Sequence, residues 1–196
     1  MTDRGYTTSS KIEIYLGQTI TDSLSPFILS AQQFIEDYCS RIFLADTVAS
    51  LRYFDGNGRS SIRIDDCVEV TVVEIGLDSY GTTFVTPLLS NFKFLPNNAV
   101  VQGLPITEIV SKDYAFTSGL QNQKVTARWG NSDCVPDDIK FIATILASGM
   151  YLNSKGAGSI TSESIGQYSV SYKNDNNWSD FKSIYSVLDR YKKLSI

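Results

Sequence analysis

Val135-Pro136-Asp137-Asp138-Ile139-Lys140-Phe141-Ile142-Ala143-Thr144-Ile145-Leu146-Ala147-Ser148-Gly149-Met150-Tyr151-Leu152 is the stretch that decides the fold. A proline followed by two carboxylates marks a helix start, because proline's fixed φ suits the first turn and negative charge is stabilised at the positive end of the helix dipole. Apolar residues then cover most of the circumference and leave a narrow polar stripe of Lys140, Thr144 and Ser148. A helix of this kind needs enclosure by other elements or by neighbouring subunits, and its apolar extent, too great for a small molecule on its own, predicts a place inside an assembly.

Upstream, Phe27, Ile28, Ala31, Phe34, Ile35, Tyr38 and Ile42 recur at helical spacing. With Ser25 as N-cap and Pro26 at the first helical position, they predict an amphipathic helix running to about Arg41. Before it, residues 1–10 read as a polar leader, and the strict alternation of residues 11–16 predicts a short strand. Downstream, the Ser-, Gly- and Thr-rich residues 153–166 predict an exposed loop, and the alternation of residues 167–172 a strand with an aromatic face. Phe181, Ile184, Tyr185, Leu188 and Tyr191 then share one face of a final helix capped by Ser179, with Arg190, Lys192 and Lys193 at its negative end.

Between the first two helices the texture changes to β-branched and aromatic runs broken by Gly, Asn and Pro. Strands are predicted at 50–54, 61–64, 69–76, 83–86, 91–95, 107–110 and 124–129, with Asp55-Gly56-Asn57-Gly58 as a hairpin turn. The expected fold class is α+β, a small bundle of three main helices carrying an inserted β-rich subdomain. Residues 1–47 and 131–196 would form the helical core, and residues 48–130 the insert.

A hydrophobic fraction of 42% with 19% charged residues excludes a disordered chain of this length, 196 residues. No apolar run approaches the roughly 18 residues that span a bilayer, and residues 1–10 lack a basic-then-apolar signal, so neither membrane insertion nor secretion is expected. Cys39, Cys67 and Cys134 are odd in number, widely spaced and without a Cys-x-x-Cys pair, which predicts reduced intracellular thiols. The Asn177-Trp178-Ser179 sequon is then incidental. A net charge of -4 gives no global positive field for nucleic acid.

The chain contains no histidine, which removes Ser-His-Asp and Cys-His catalysis, imidazole metal sites and the commonest general base at once. In Lys155-Gly156-Ala157-Gly158-Ser159 the lysine precedes the glycines and follows a helix, the reverse of a phosphate loop. Asp55, Asn57 and Asp66 approximate a calcium loop but lack its central glycine and final glutamate. Asp65-Asp66 and Asp137-Asp138 are paired carboxylates, yet neighbours on a strand diverge and the second pair is helix-start chemistry. The expectation is no enzyme, no cofactor and no metal. Two readings from other classes stay open: a hydrolase using Asp65 or Asp66, and a carbohydrate- or nucleic-acid-binding module built on Tyr53, Phe54, Phe84, Phe92 and Phe94.

Three segments together resemble the head-tail connector, or portal adaptor, family of tailed bacteriophages. Residues 31–43, AQQFIEDYCSRIF, are similar to the family's first helix, which ends in an aromatic, an arginine and a phenylalanine. Trp129-Gly130 followed by Val135-Pro136-Asp137-Asp138-Ile139 and a long apolar helix resembles its second, and residues 160–172 resemble the loop and strand that follow. The likeness covers the helical half of the chain; residues 48–129 replace a short hairpin or loop.

The resemblance implies a virion neck subunit, assembled in the host cytoplasm into a ring of commonly about twelve copies. Its partners would be itself, the portal protein above, a neck or tail protein below, and passing DNA without sequence-specific binding, with no membrane. In such adaptors the C-terminal segment often reaches into the portal, which makes Trp178, Tyr191, Lys192, Lys193, Leu194 and Ile196 candidate portal contacts. Lys155, Ile160, Glu163 and Ile165 are candidates for an inter-subunit or partner loop. A stopper or tail-completion protein of the same neck is the related alternative.

Overall fold

In a computed structural model the described residues are 3–155, 161–165, 168–172 and 178–193, with side chains described for 3–155 and 184–193. The elements run α1 (Ser9–Leu16), α2 (Ser25–Cys39), β1 (Ser50–Gly56), β2 (Ser61–Gly76), β3 (Phe84–Val85), β4 (Phe92–Leu95), β5 (Ile106–Ser111) and β6 (Gly119–Trp129). They continue with α3 (Asp137–Ser154), β7 (Thr161–Ile165), β8 (Tyr168–Tyr172) and α4 (Trp178–Tyr191). This is a mixed α and β chain of four helices and a six-stranded antiparallel sheet. It divides into two units, residues 1–41 with 135–196, and residues 42–134.

The first unit is organised around α3. Ile139, Ile142, Ala143, Leu146, Ala147 and Tyr151 are buried, and α1, α2, α4 and β8 all pack against the helix. Thr144 and Ser148 of the polar stripe are buried as well. Thr144 is tolerated there because its hydroxyl donates to the Lys140 carbonyl at 2.9 Å and pairs with the Thr7 hydroxyl at 2.7 Å. Phe141 (58% exposed) and Leu152 (37%) are its large side chains left in solvent. The enclosure that its sequence demands therefore comes mostly from its own chain.

Residues 11–16 are helical, not a strand. The Thr8 hydroxyl caps α1 by accepting from the Lys11 amide, and Gly17, at φ 66°, closes it with its N–H on the Glu13 and Ile14 carbonyls. Two caps outweigh an alternation of only six residues, and they leave Ile14 80% exposed. The count of main helices rises from three to four. The polar leader is also structural: Tyr6 and Thr7 are buried, the Tyr6 hydroxyl donates to Glu36 at 2.8 Å, and Gln32 accepts from the Arg4 amide at 2.9 Å.

Helix boundaries shift modestly elsewhere. In α2, Leu24 occupies the N-cap without a side-chain bond, Ser25 is already helical, and Ser40, at φ 51°, ends the helix. Trp178, not a Ser179 cap, opens α4. The predicted loop of residues 153–166 contains β7, which pairs antiparallel with β8 from Thr161↔Tyr172 to Ile165↔Tyr168.

In the second unit the strand order is β1-β6-β2-β5-β4, with β3 on the end of β2. The separate strands predicted at 61–64 and 69–76 are one sixteen-residue strand. Polar Asp65-Asp66 interrupts the apolar pattern because the register slips between Arg63 and Cys67, a bulge that bends the strand without ending it. Ile62, Ile64, Val73, Ile75, Ile109, Phe116, Val125 and Trp129 fill the core on one face. Trp129 is 1% exposed; its indole N–H donates to the Ser50 carbonyl at 2.8 Å, and the Arg52 guanidinium lies 4.5 Å from its ring centre.

One end of this sheet is tied by two buried amides. Asn122 accepts from the Gly56 amide at 2.9 Å and donates to the carbonyls of Asp78 and Thr117 at 3.0 and 2.8 Å. Gln123 accepts from the Gly76 amide and donates to Thr117. Gly56 is required here, since a Cβ would collide with the Thr117 carbonyl oxygen. At the other end, Asn131 N–H bonds the Ile42 carbonyl, Ser132 N–H that of Phe43, and Ala45 N–H that of Ser132, so the unit's first and last residues lie side by side.

Candidate functional site

The C-terminal candidates gather where the end of α4 meets the end of α2 and the start of α3. Ile184 and Leu188 are buried and hold the helix down. Tyr185 sits against Phe34 and Tyr38 of α2, with ring centres 6.5 and 5.3 Å apart. The Tyr38 hydroxyl donates to Asp189 at 2.6 Å, and Asp189 together with burial raises the phenol to about 12. The Tyr191 hydroxyl lies 3.0 and 2.9 Å from the two oxygens of Asp138, and Arg190 reaches the same carboxylate at 3.7 Å. Burial first, then the hydrogen bond to Asp138, raises Tyr191 above the usual tyrosine range.

Tyr191 is thus occupied in fastening α4 to α3. Lys193 is half-buried, and its amide donates to the Cys39 carbonyl at 2.9 Å. Lys192 is exposed, its ammonium 4.8 Å from the Tyr38 ring centre. Trp178 is placed as the first residue of α4, while Leu194 and Ile196 lie outside the described residues.

The second candidate set lies at the far end of α3, about 25 Å away at 1.5 Å per residue. Lys155 follows the helix and pairs with Asp22 at 2.8 Å, while the Tyr151 hydroxyl donates to the same carboxylate at 3.1 Å. These contacts hold Asp22 below the usual carboxylate range and Lys155 above the usual lysine one. Glu163 is opposite Val170 and Ile165 opposite Tyr168 in the β7–β8 hairpin, and Ile160 lies outside the described residues. The structure does not bring the two sets together.

Three of the four carboxylates weighed for catalysis have structural engagements, and the fourth, Asp66, is buried. Asp65 pairs with Arg52 at 2.8 Å, Asp137 with Lys140 at 2.9 Å, and Asp138 with Tyr191. Burial pushes the Cys39 thiol up to about 11 and the Cys67 thiol up to about 12, away from the thiolate form a nucleophile needs. Among the described residues no cluster of three or more His, Cys, Asp and Glu side chains could hold a metal ion, and no helix is long and apolar enough to cross a membrane. Of the aromatics offered as a stacking platform, Phe54, Phe92 and Phe94 pack on the core, and Tyr53 is exposed.

No protein-family model and no curated protein matches the sequence. Solved structures do. A chain from a structure described as "Neck of empty GTA particle computed with C6 symmetry" superposes with a TM-score of 0.58 at 11% identity, covering 100% of this chain and 94% of that one. A chain from "Virion of native gene transfer agent (GTA) particle" gives 0.56 at 13% identity, with the same coverage of both chains. The chain therefore has, over its whole length, the fold of a protein found in the neck of a gene transfer agent particle.

Proposed function

We propose that this protein is a structural subunit of the neck of a tailed-phage-like particle, an adaptor that forms a ring, docks on the portal and joins the capsid to the tail. The observation that carries this reading is the fold shared along the entire chain, helical unit and sheet unit alike, with a chain of a gene transfer agent neck. The ordered sequence segments that resemble portal adaptors support it independently of that superposition. A neck built on a sixfold axis suits a ring whose copy number is a multiple of six, made by heterologous contacts that close on themselves.

In this reading the subunit works by contact and not by catalysis, and the two ends of α3 have different duties. The α4 end faces the portal. Tyr191 positions that end through Asp138, so direct portal contact falls first on Lys192, Leu194 and Ile196, with Trp178 at the start of the helix and Lys193 beside it. The opposite end, with Lys155, Ile160, Glu163 and Ile165, meets a neighbouring subunit or the protein below. DNA passes through the ring without being read.

The test is to mix the purified chain with portal rings, measure solution mass with and without portal, and image the product by electron microscopy. A stacked ring on the portal is the expected outcome. A chain that stays single with every virion component at all salt concentrations sinks the proposal, and binding to tail tube but never to portal replaces the adaptor with a stopper or tail-completion protein.

A further inference from the structure

The charges of the sheet unit are sorted in a way the net charge conceals. Of its lysines and arginines, Arg52 pairs with Asp65, Lys124 with Glu74, and Arg128 with Glu69 and Asp133. The rest, Arg59, Arg63, Lys93 and Lys112, are exposed, and none is in an ion pair with a described carboxylate. All of them lie at one corner of the sheet.

The register places them. Ser61 is opposite Val110 and Val110 opposite Lys93, which makes one row across β2, β5 and β4. Arg63, Glu108 and Leu95 make the next row by the same pairings. These rows lie on the face opposite the core, since the intervening Ile62 and Ile109 are buried. Arg59 and Lys112 stand one step beyond the first row, where Ser111 N–H bonds the Ser60 carbonyl at 2.7 Å and Lys112 N–H that of Asn91 at 2.9 Å. Glu108 is the single carboxylate within the rows.

We infer that this face of β2, β5 and β4 is a contact surface for the phosphate backbone of double-stranded DNA. Cations without carboxylate partners in neighbouring rows, with the Lys112 ammonium held on the Ser90 carbonyl, suit a polyanion by charge complementarity. No exposed aromatic stands in the rows to stack on a base, so the surface holds backbone and reads no sequence. The remainder of the chain is acidic, which keeps the contact local and salt-sensitive, and Glu108 weakens it further. A weak, sequence-blind grip suits a molecule that DNA must move past. The choice of DNA over other polyanions rests on the neck reading; the location of the surface rests on the charges alone.

The test titrates the full-length chain into a short fluorescent DNA duplex and follows anisotropy from low to moderate salt. With all four cations engaged, log affinity falls with log salt at a slope of about -3.6, and Arg63→Gln with Lys93→Gln reduces the slope to about -1.8. Glu108→Gln tightens binding by about two- to fivefold, the worth of one exposed charge contact, a gain that misfolding cannot imitate. Absence of binding at low salt, an unchanged slope in the double variant, or no gain in Glu108→Gln overturns the proposal. Polyglutamate competing as well as unlabelled duplex also overturns it, assigning the face to an acidic protein surface. Rings that assemble on portal without any duplex binding sink this surface alone, whereas duplex binding without rings sinks the neck reading and leaves the charged face standing.

Discussion

The Tyr191 hydroxyl, at the last residue of α4, sits 3.0 and 2.9 Å from the two carboxylate oxygens of Asp138, in the first turn of α3. The bond joins the end of one helix to the beginning of another that is distant in sequence, and so fixes the direction in which the chain leaves α4. Tyr191→Phe should cost about 1 kcal/mol, because Asp138 is partly exposed and water can replace the phenol. That corresponds to a fall of a few degrees in the melting temperature. In portal binding the same variant should lose affinity while Lys192→Ala loses more; an unchanged melting curve in Lys192→Ala beside its larger binding loss would separate contact from positioning.

Alkaline pH should unfold the helical unit through its tyrosines. Tyr38 is raised to about 12, chiefly by its bond to Asp189, and Tyr191 and Tyr151 are raised as well, first by burial. A group whose folded pKa is raised contributes stability that is complete below its unfolded value, near 10 for tyrosine, and lost as pH climbs through the folded value. Urea midpoints should therefore begin to fall near pH 9, where the buried Cys39 thiol, raised to about 11, starts to contribute, and fall further toward pH 12 through the tyrosines, with a shallower fall in Tyr38→Phe.

Asn122→Ala should be the most damaging polar substitution in the sheet unit. It leaves the Gly56 amide and the carbonyls of Asp78 and Thr117 without their partner in a buried site, at about 2–4 kcal/mol. Chemical denaturation reads the loss directly. Asn122→Asp should be no better, since an anion would face two carbonyl oxygens.

Removing the first seven residues, or Tyr6→Ala alone, should destabilise the helical unit by about 3–5 kcal/mol, the cost of emptying a buried aromatic site. Tyr6 is fully buried and its hydroxyl holds Glu36, whose carboxyl is raised by burial. Thermal unfolding of the truncated chain checks this, and an unchanged midpoint would show the segment to be dispensable.

Asp78 should titrate well below the usual carboxylate range. Its carboxylate accepts from the Thr82 hydroxyl and from the amides of Tyr80, Thr82 and Thr83, which holds it down to about 2. A depressed folded pKa contributes stability present above the unfolded value and lost as pH falls through the folded one. Carbon-detected NMR should place the midpoint near 2, and Thr82→Val should move it upward.

What was legible in sequence follows the strength of the local signal. Pro136 and the two aspartates announced α3, and the β-branched runs announced most of the sheet, because both signals act within a few residues. The Ile12, Ile14 and Leu16 alternation misled, since the caps at Thr8 and Gly17 lie just outside it. The burial of Thr144 and Ser148 was not legible, because a hydroxyl's burial depends on a partner such as Thr7, which is distant in the chain. Gly119-Leu120-Gln121-Asn122-Gln123 carries no strand pattern; Asn122 and Gln123 order it by reaching the ends of β1 and β2 at Gly56 and Gly76 and the loops at Asp78 and Thr117. The cationic corner was invisible for a related reason. Its members are scattered from Arg59 to Lys112 in a chain of net charge -4, and pairing of β2, β5 and β4 gathers them.

The clasp between Ile42–Ala45 and Asn131–Ser132 has an evolutionary consequence. A segment whose two termini emerge together changes the closure entropy of its host only slowly with its own length, so residues 42–134 are a transplantable cassette. Lineages could enlarge, shrink or swap it while the scaffold that carries it keeps its shape.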